Sequence, residues 1–464
     1  MIGTAADIVR QITQGERSAA SVLAETKALI QAKDPALNCF TAKTFGRAER
    51  EAAAIDGLRA EGKPLPPLAG VPYAVKNLFD VEGMVTLAGA KINAANAAAR
   101  ADAAIVARMS RAGAILVGAL NMEELAYGFL TENPHYGITR NPRDATRGAG
   151  GSSGGSAAAV GAGIVPLTLG SDTSGSIRLP ASLCGVFGLK PTYGRLPRSG
   201  TYPFVNSLDH VGPFANDVVG LALSYDAMQG PDPDDPACAQ RPLERVGASL
   251  SLPRGVRIGI LGGWFHEWAG PAARRSVQMA AAALGATEWV ELKSAEVARA
   301  AAFVMTGAEG GALHRPRLLK QYEDFGPASR ARLVAGSLIP ASWVVQAQRV
   351  RQNAYREAIE LFDRFDLLLA AAAPSVAPTV GQETLQINGR SIPTKAGLGV
   401  LTQPISCIGL PVVTVPVWPD EGETAAERTL PVGVQLIAAP WREGLCLAAA
   451  RTLEQAGVAQ IRLI

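Results

Sequence analysis

The stretch RGAGGSSGGSAAAVGAGIVPLTLGSDTSGSIRLPASLCGVFGLKP, residues 147–191, constrains the chain more than any other. It holds two serine-bearing glycine turns, at 150–155 and 170–176, separated by an Ala-rich helical segment at 156–162 and an apolar strand segment at 164–169. A loop, a helix, a strand and a second loop in that order bring both turns to one edge of a sheet. Glycine lets such turns reach positive φ and lets backbone N–H groups approach a ligand closely. Neither run continues into Lys-Ser or Lys-Thr, and no G-x-G-x-x-G follows a strand, so nucleotide phosphate loops are excluded. The Gly-x-Ser-x-Gly elbow fails too, because Ser176 sits in Ser174-Gly175-Ser176-Ile177-Arg178. What remains is a hydroxyl on a tight loop after a strand, preceded by backbone amides: a nucleophile with an oxyanion hole, lacking only a base.

The chain has four histidines, His135, His210, His266 and His314, none in an evident nucleophile–base pattern. Lysine is the other candidate. Leu68-Ala69-Gly70-Val71-Pro72-Tyr73-Ala74-Val75-Lys76-Asn77 reads as a turn and a short buried strand ending on a cation. An ammonium desolvated at the end of an apolar strand loses basicity and becomes a usable base. Taken alone, Lys76 reads first as a side chain that snorkels to solvent, as most strand-end lysines do.

The Gly-Gly-Ser-Ser-Gly-Gly-Ser run, the Gly-Ser-Asp-Thr-x-Gly-Ser-Ile-Arg loop, Cys184-Gly185-Val186-Phe187-Gly188-Leu189-Lys190-Pro191-Thr192 and the upstream Val-Lys-Asn resemble the amidase signature family of serine hydrolases, over nearly the whole chain. The resemblance implies an α/β fold with a large mixed β-sheet core covered by helices on both faces. It implies Ser176 as nucleophile, Ser152 as a bridging serine on a cis peptide bond, and Lys76 as base. Backbone N–H groups of Thr173, Ser174, Gly175 and Ser176 then form the oxyanion hole. The chain departs from the family at Ser174, where members commonly carry glycine. Asp172 and Arg178 read as a structural ion pair that fixes the loop, and Cys184 as a small buried hydrophobe.

Composition agrees with a globular hydrolase. The 464 residues are 48% hydrophobic with 49 glycines, and the net charge of +3 gives no electrostatic footprint for nucleic acid or a membrane surface. Five cysteines, Cys39, Cys184, Cys238, Cys407 and Cys446, are scattered without metal-ligand spacing. They suit a reducing cytoplasm, and neither a metal nor another cofactor is expected. The first residues lack a basic segment followed by an apolar core, so no secretory signal is read, and no apolar run is long enough to span a bilayer.

Along the chain, Ser18 is the expected N-cap of a helix bearing Val22, Leu23, Leu29 and Ile30. An Ala-rich helix follows over 48–58. Asp102 is expected to cap a helix bearing Ile105, Val106 and Met109, and Asn121 with Glu124 to start another. Residues 126–141 read as a loop by composition, and 230–255, rich in Pro and charge, as a surface linker. Beyond it the pattern predicts strands at 256–261, 366–370, 410–417 and 431–438, a long helix over 342–365, and a last helix after Trp441. The whole chain, 1–464, is expected to form one amidase domain: a signature core of about 66–215, then a substrate-facing cap and the remaining sheet over 256–464.

Specificity is expected in that second half. Val380-Gly381-Gln382-Glu383-Thr384, Leu401-Thr402-Gln403-Pro404-Ile405-Ser406 and the Tyr127 loop resemble the branch of the family that hydrolyses 1-carboxybiuret in cyanuric acid breakdown. That resemblance implies a small, planar, carboxylated urea as substrate, release of ammonia, and a small helical C-type partner subunit within a homo- or hetero-oligomer. Tyr127, Ser153, Gln403, His314 and Arg315 are the candidate substrate-binding residues; a solvated helix face accounts for His314 and Arg315 equally well. Two alternatives stand beside this reading. One is the glutaminase subunit of a Glu-tRNA amidotransferase. The other is a scaffold that has lost catalysis, against which intact Lys76, Ser152 and Ser176 argue.

Overall fold

The computed structural model describes residues 2–420, 422 and 424–462. Its centre is one mixed sheet of eleven strands. In chain order these are β1 (Phe40–Lys43), β2 (Pro72–Lys76), β3 (Ile115–Leu120), β4 (Leu167–Asp172), β5 (Phe187–Lys190), β6 (His210–Ala215), β7 (Ile258–Leu261), β8 (Glu288–Val290), β9 (Leu367–Ala371), β10 (Val412–Val415) and β11 (Val434–Ala438). Their spatial order is β1-β3-β2-β4-β6-β5-β10-β11-β9-β7-β8. Strands from both halves of the sequence thus join in a single sheet, with β5 and β10 as the seam.

The central strands are buried at every position rather than at alternate ones, as in β2, β3, β4 and β6. A strand with no exposed face must be covered on both sides, which is why these segments read as continuous apolar runs. β2 lies between parallel neighbours, pairing Tyr73 with Leu116 and with Leu167. Parallel pairing sets the carboxyl ends of β2 and β4 side by side, and those ends carry Lys76 and the Ser171-Asp172 pair.

Most expected elements form close to their sequence positions. Ser18 caps the helix Ala19–Leu37, its side chain accepting from Ser21 N–H. The Ala-rich segment lies in the helix Phe45–Ala60, and the long second-half helix spans Ala341–Arg364. Asp102, however, is not an N-cap: the helix Ala104–Arg111 starts without a side-chain cap. The Asp102 carboxylate is instead held by Arg47 through two hydrogen bonds of 2.7 Å. Nor does Asn121 start a regular helix; only a 3-10 turn, Glu124–Ala126, forms there. Glu124 is buried, accepting from the Gly326 N–H and bonded to His135, so its carboxylate is not available for a capping box.

One element was not legible in the sequence. The helix Ala295–Gln321 contains Pro316 and the small residues Gly307, Gly310 and Gly311, which blur its apolar period. It packs against the helix Pro327–Ser337 so closely that a Cβ on Gly336 would stand 2.1 Å from the Gly307 carbonyl oxygen. The helix pair brings Phe303, Thr306, Ala328 and Arg332 over the carboxyl edge of β4. Residues 230–255 carry one 3-10 turn, Val246–Ala248. Two of their carboxylates are buried, and Asp235 pairs with Arg198 at 3.0 Å.

Candidate active site

Lys76 ends β2 and is fully buried. Its Nζ lies 2.6 Å from Ser152 Oγ and 2.9 Å from Ser171 Oγ. With no carboxylate of the described residues in direct contact, the amine is held chiefly by hydroxyls. Burial lowers its pKa from 10.5 to about 7, against the weaker opposing pull of Asp172, Asp209 and Glu123. An amine with that pKa is substantially neutral at physiological pH and has a lone pair to offer.

Ser152 sits just before the helix Gly154–Gly161, and the Gly151–Ser152 peptide bond is cis. That helix returns the chain to β4, whose end turns into the second serine loop. The two turns meet directly: Ser153 N–H donates to the Ser176 carbonyl oxygen at 3.3 Å. Ser152 and Ser176 are both buried, and these contacts bring Lys76, Ser152 and Ser176 to one part of the sheet edge.

The loop's shape is set by Asp172. Its carboxylate accepts from Gly175 N–H at 2.7 Å and Ile177 N–H at 3.2 Å, and receives two 3.0 Å hydrogen bonds from the Arg178 guanidinium. Burial alone would raise the Asp172 pKa, but Arg178 overrides it by charge and hydrogen bonding and holds the group well below the carboxylate range. Arg178 is itself anchored by the Thr402 carbonyl oxygen, Gln435 Oε1 and Ser406 Oγ. The Asp172–Arg178 pair therefore ties the serine loop to three residues from the last quarter of the chain. It also takes up the Gly175 N–H, which is therefore not free for the oxyanion hole in which the sequence reading places it.

Ser176, Thr173 and Ser174 open onto a cavity of about 260 Å³. Tyr127 and Gln403 line it as well. Ser153 does not; its hydroxyl bonds the Ser171 backbone at 3.1 Å and braces the two turns. His314 and Arg315 lie away from this cavity. His314 is buried between Tyr202 and Phe325, and Arg315 is exposed. The cations that do line the cavity are Arg332 and Lys395. Arg332 lies over the Tyr127 ring at 4.1 Å and donates to the Tyr127 carbonyl oxygen. Arg299 stands behind the wall, its Nε donating to Gln403 Oε1 at 3.0 Å. Sequence reading missed Arg332 because an Arg on the helix Pro327–Ser337 looks like any solvated helix charge; only the close helix pairing turns it inward. Among the described residues no cluster of metal-ligating side chains occurs, and no helix is long and apolar enough to cross a membrane.

A buried serine pair, a desolvated lysine and a polarising loop beside a small cavity are the parts of an acyl-transfer centre. Comparison with known proteins points the same way. The chain is 55% identical to AtzE of Pseudomonas sp. (strain ADP), a 1-carboxybiuret hydrolase subunit, covering 98% of this chain and 99% of that one. It is 36% identical to a glutamyl-tRNA(Gln) amidotransferase subunit from Moorella thermoacetica, over 92% of this chain and 91% of that one. A solved structure superposes with a TM-score of 0.97 at 54% identity, covering 99% of this chain and all of the other. It is described as an unexpected vestigial protein complex revealing the evolutionary origins of an s-triazine catabolic enzyme. The amidase family profile matches residues 21–447, and on that match and these alignments the chain belongs to the amidase family of C–N hydrolases.

Proposed function

We propose that the chain hydrolyses an amide C–N bond of a small carboxylated urea, with 1-carboxybiuret as the foremost candidate, and releases ammonia. The observation that carries the chemistry is the 2.6 Å contact between the buried Lys76 amine and Ser152 Oγ, on a turn that is hydrogen-bonded to the Ser176 backbone through Ser153 N–H. Neutral Lys76 accepts the Ser152 proton while Ser152 accepts that of Ser176, and Ser176 Oγ attacks the amide carbonyl carbon. Amides of Thr173, Ser174 and Ser176 receive the developing oxyanion, at about 3–4 kcal/mol for each well-placed donor. The relay then runs backwards: the C–N bond breaks, the nitrogen leaves with a proton from Ser152, and Lys76 restores that proton. Water attacks the acyl-Ser176 through the same relay, which frees the acid and the serine.

The cavity suits a small anionic substrate. Its volume of about 260 Å³ admits a molecule of some ten heavy atoms, and Arg332 offers a planar fork for a carboxylate with Lys395 beside it. The 55% identical relative favours carboxybiuret over glutamine, whose tRNA-dependent glutaminase relatives are more distant. A panel assay of ammonia release from carboxybiuret, biuret, allophanate, simple amides and glutamine tests this. Carboxybiuret should give the highest kcat/KM, and preference for glutamine would move the chain to the amidotransferase reading.

We also propose a cytoplasmic location and a small helical partner subunit. All five cysteines are free and buried, as suits a reducing compartment. Leu319, Leu338 and Trp343 are exposed on and beside the cavity helices, at 77%, 76% and 60%, a surface fit for a partner helix. Size-exclusion chromatography with light scattering of the chain purified from its native source tests the partnership.

A further inference from the structure

Arg299 stands outside the cavity beside Ser176, yet it sets the direction of a side chain within it. It belongs to the helix Ala295–Gln321 and is half-buried. Its Nε donates to Gln403 Oε1 at 3.0 Å, and its Nη2 donates to the Ala396 carbonyl oxygen at 3.2 Å. Gln403 and Ala396 both line the cavity. A guanidinium has five donors and no acceptor, so it can hold only the oxygen end of a carboxamide. The nitrogen end of Gln403 carries two N–H groups, and among the described residues none accepts from them. The side chain keeps 3% of its surface, on the cavity it lines.

The position of that carboxamide is fixed relative to the nucleophile. Gln403 directly follows Thr402, whose hydroxyl donates to the Ser174 carbonyl oxygen at 2.8 Å and whose own carbonyl oxygen accepts from Arg178 at 3.0 Å. The amide is thereby registered against the serine loop. Its other flank is packed. A Cβ on Gly399 would stand 3.2 Å from Gln403 Cδ and 2.5 Å from the Phe129 ring, so only glycine lets the carboxamide and the ring share that corner. Arg332 and Lys395 line the same space. Beside the serine loop the cavity therefore holds two kinds of donor: cations suited to a carboxylate, and one neutral amide suited to a neutral oxygen.

Resting on the carboxylated-urea reading above, we infer that Gln403 Nε2 donates to the substrate carbonyl oxygen that lies between the scissile amide and the carboxylate, and that Arg299 is the positioning residue that keeps this donor end turned inward. A substrate with an NH–CO–NH centre supplies the acceptor. One with methylenes there leaves Nε2 desolvated and unpaired, a loss that polar sites use to reject analogues. Glutaramate is the informative contrast: its amide and carboxylate are separated by three methylenes, matching the N–C–N of carboxybiuret in length, and it lacks the middle carbonyl. Gln403 thus selects ureas over the monoamides of dicarboxylic acids. Arg332 and Lys395 cannot make that choice, because both molecules carry the carboxylate.

Gln403→Met and Gln403→Glu test this by ammonia release from carboxybiuret, with glutaramate added as a competing inhibitor. The inhibition constant of glutaramate on the wild-type chain should exceed KM for carboxybiuret by roughly tenfold or more, and Gln403→Met should narrow that gap. kcat/KM for carboxybiuret should fall by roughly tenfold in Gln403→Met, and further in Gln403→Glu, whose carboxylate sets an acceptor against the carbonyl oxygen. The order of the two variants is decisive. Gln403→Glu keeps the shape of the side chain and strengthens its bond to Arg299, so activity in Gln403→Glu equal to or above that in Gln403→Met would show that Gln403 only fastens Arg299, and would overturn the proposal. Arg299→Met should lose part of the same activity, Arg299→Lys should regain most of it, and Arg299→Met should add less than about twofold to the loss in Gln403→Met. Additive losses would overturn the positioning role. If neither Gln403 variant folds, the two Arg299 variants decide by the same comparison with glutaramate. Wild-type chain that releases ammonia from glutamine but not from carboxybiuret would instead overturn the substrate reading, and this assignment with it.

Discussion

Thr402 Oγ1 donates to the backbone carbonyl oxygen of Ser174 at 2.8 Å, and the same hydroxyl stands where a Cβ on Gly175 would fall, 2.1 Å away. Gly175 is at φ 131°, a conformation that side chains avoid. Both facts demand glycine here, between Ser174 and Ser176. Gly175→Ala is expected to lower kcat/KM at least a hundredfold and to reduce thermal stability. Pairing it with Thr402→Ala should recover part of the stability, because the clash goes, but little of the activity, because the backbone conformation remains wrong. Thermal melts and steady-state kinetics on the two singles and the double check this.

Ser176→Ala should abolish detectable turnover with the melting temperature changed by no more than a few degrees, since only one hydroxyl is lost. Ser152→Ala should cost roughly a thousandfold or more in kcat, comparable to loss of a general base. Substantial residual activity in Ser176→Ala would place the nucleophile elsewhere.

The Lys76 amine titrates near pH 7, so kcat/KM should fall on the acid side of that value as the base takes up a proton. Stability has its own signature. Between about 7 and the ordinary 10.5 the folded chain binds fewer protons at Lys76 than the unfolded chain, so this group's contribution to stability rises with pH across that window. Below pH 7 the amine is charged in both states and its burial is fully unfavourable. Lys76→Met should therefore be inactive yet more stable than wild type, by on the order of 2 kcal/mol near neutrality. The gain should shrink toward pH 10. Buried Lys190, also lowered to about 7 by burial and then by Arg178, keeps a similar slope in the variant. Urea titrations at pH 6, 8 and 10 measure both effects.

Asp172→Asn would leave the Arg178 guanidinium buried opposite a neutral amide. Breaking a buried pair on one side costs about 3–5 kcal/mol, and it also loosens the Gly175 and Ile177 N–H anchors. Both the denaturation midpoint and kcat should fall. Replacing both partners, as Asp172→Leu with Arg178→Met, should restore more stability than activity.

Arg332→Met should raise KM for a carboxylated urea by roughly ten- to a hundredfold, the loss of one charge-assisted fork. KM for a neutral amide should barely move. A uniform loss on both substrates would assign Arg332 to packing against Tyr127 rather than to carboxylate recognition.

Much of this centre was legible in the sequence because its parts are local. The glycine turns, the strand ending on Lys76 and the Asp172–Arg178 pair each lie within a few residues, where spacing determines geometry. The walls were not. Arg332 and Phe303 reach the cavity only because Gly307 and Gly336 let two helices touch backbone to backbone, a contact between residues with no side chain to signal it. Asp102 and Glu124 have the residue types of helix caps, yet tertiary partners, Arg47 for one and the Gly326 amide for the other, claimed their carboxylates first. His314 and Arg315 are candidates on charge alone, which a solvated helix face explains as well, and neither lines the cavity beside Ser176.

The guanidinium of Arg178 closes onto Gln435, a residue of the last strand to enter the sheet. The lysine, both serines and their loops all lie before residue 180, yet the contact that fixes the second loop is supplied by a strand more than 250 residues further on. The halves of the sheet are thus joined through the serine loop itself, so a change that loosens the Gln435 strand reaches the reacting groups through Arg178 without touching any of them.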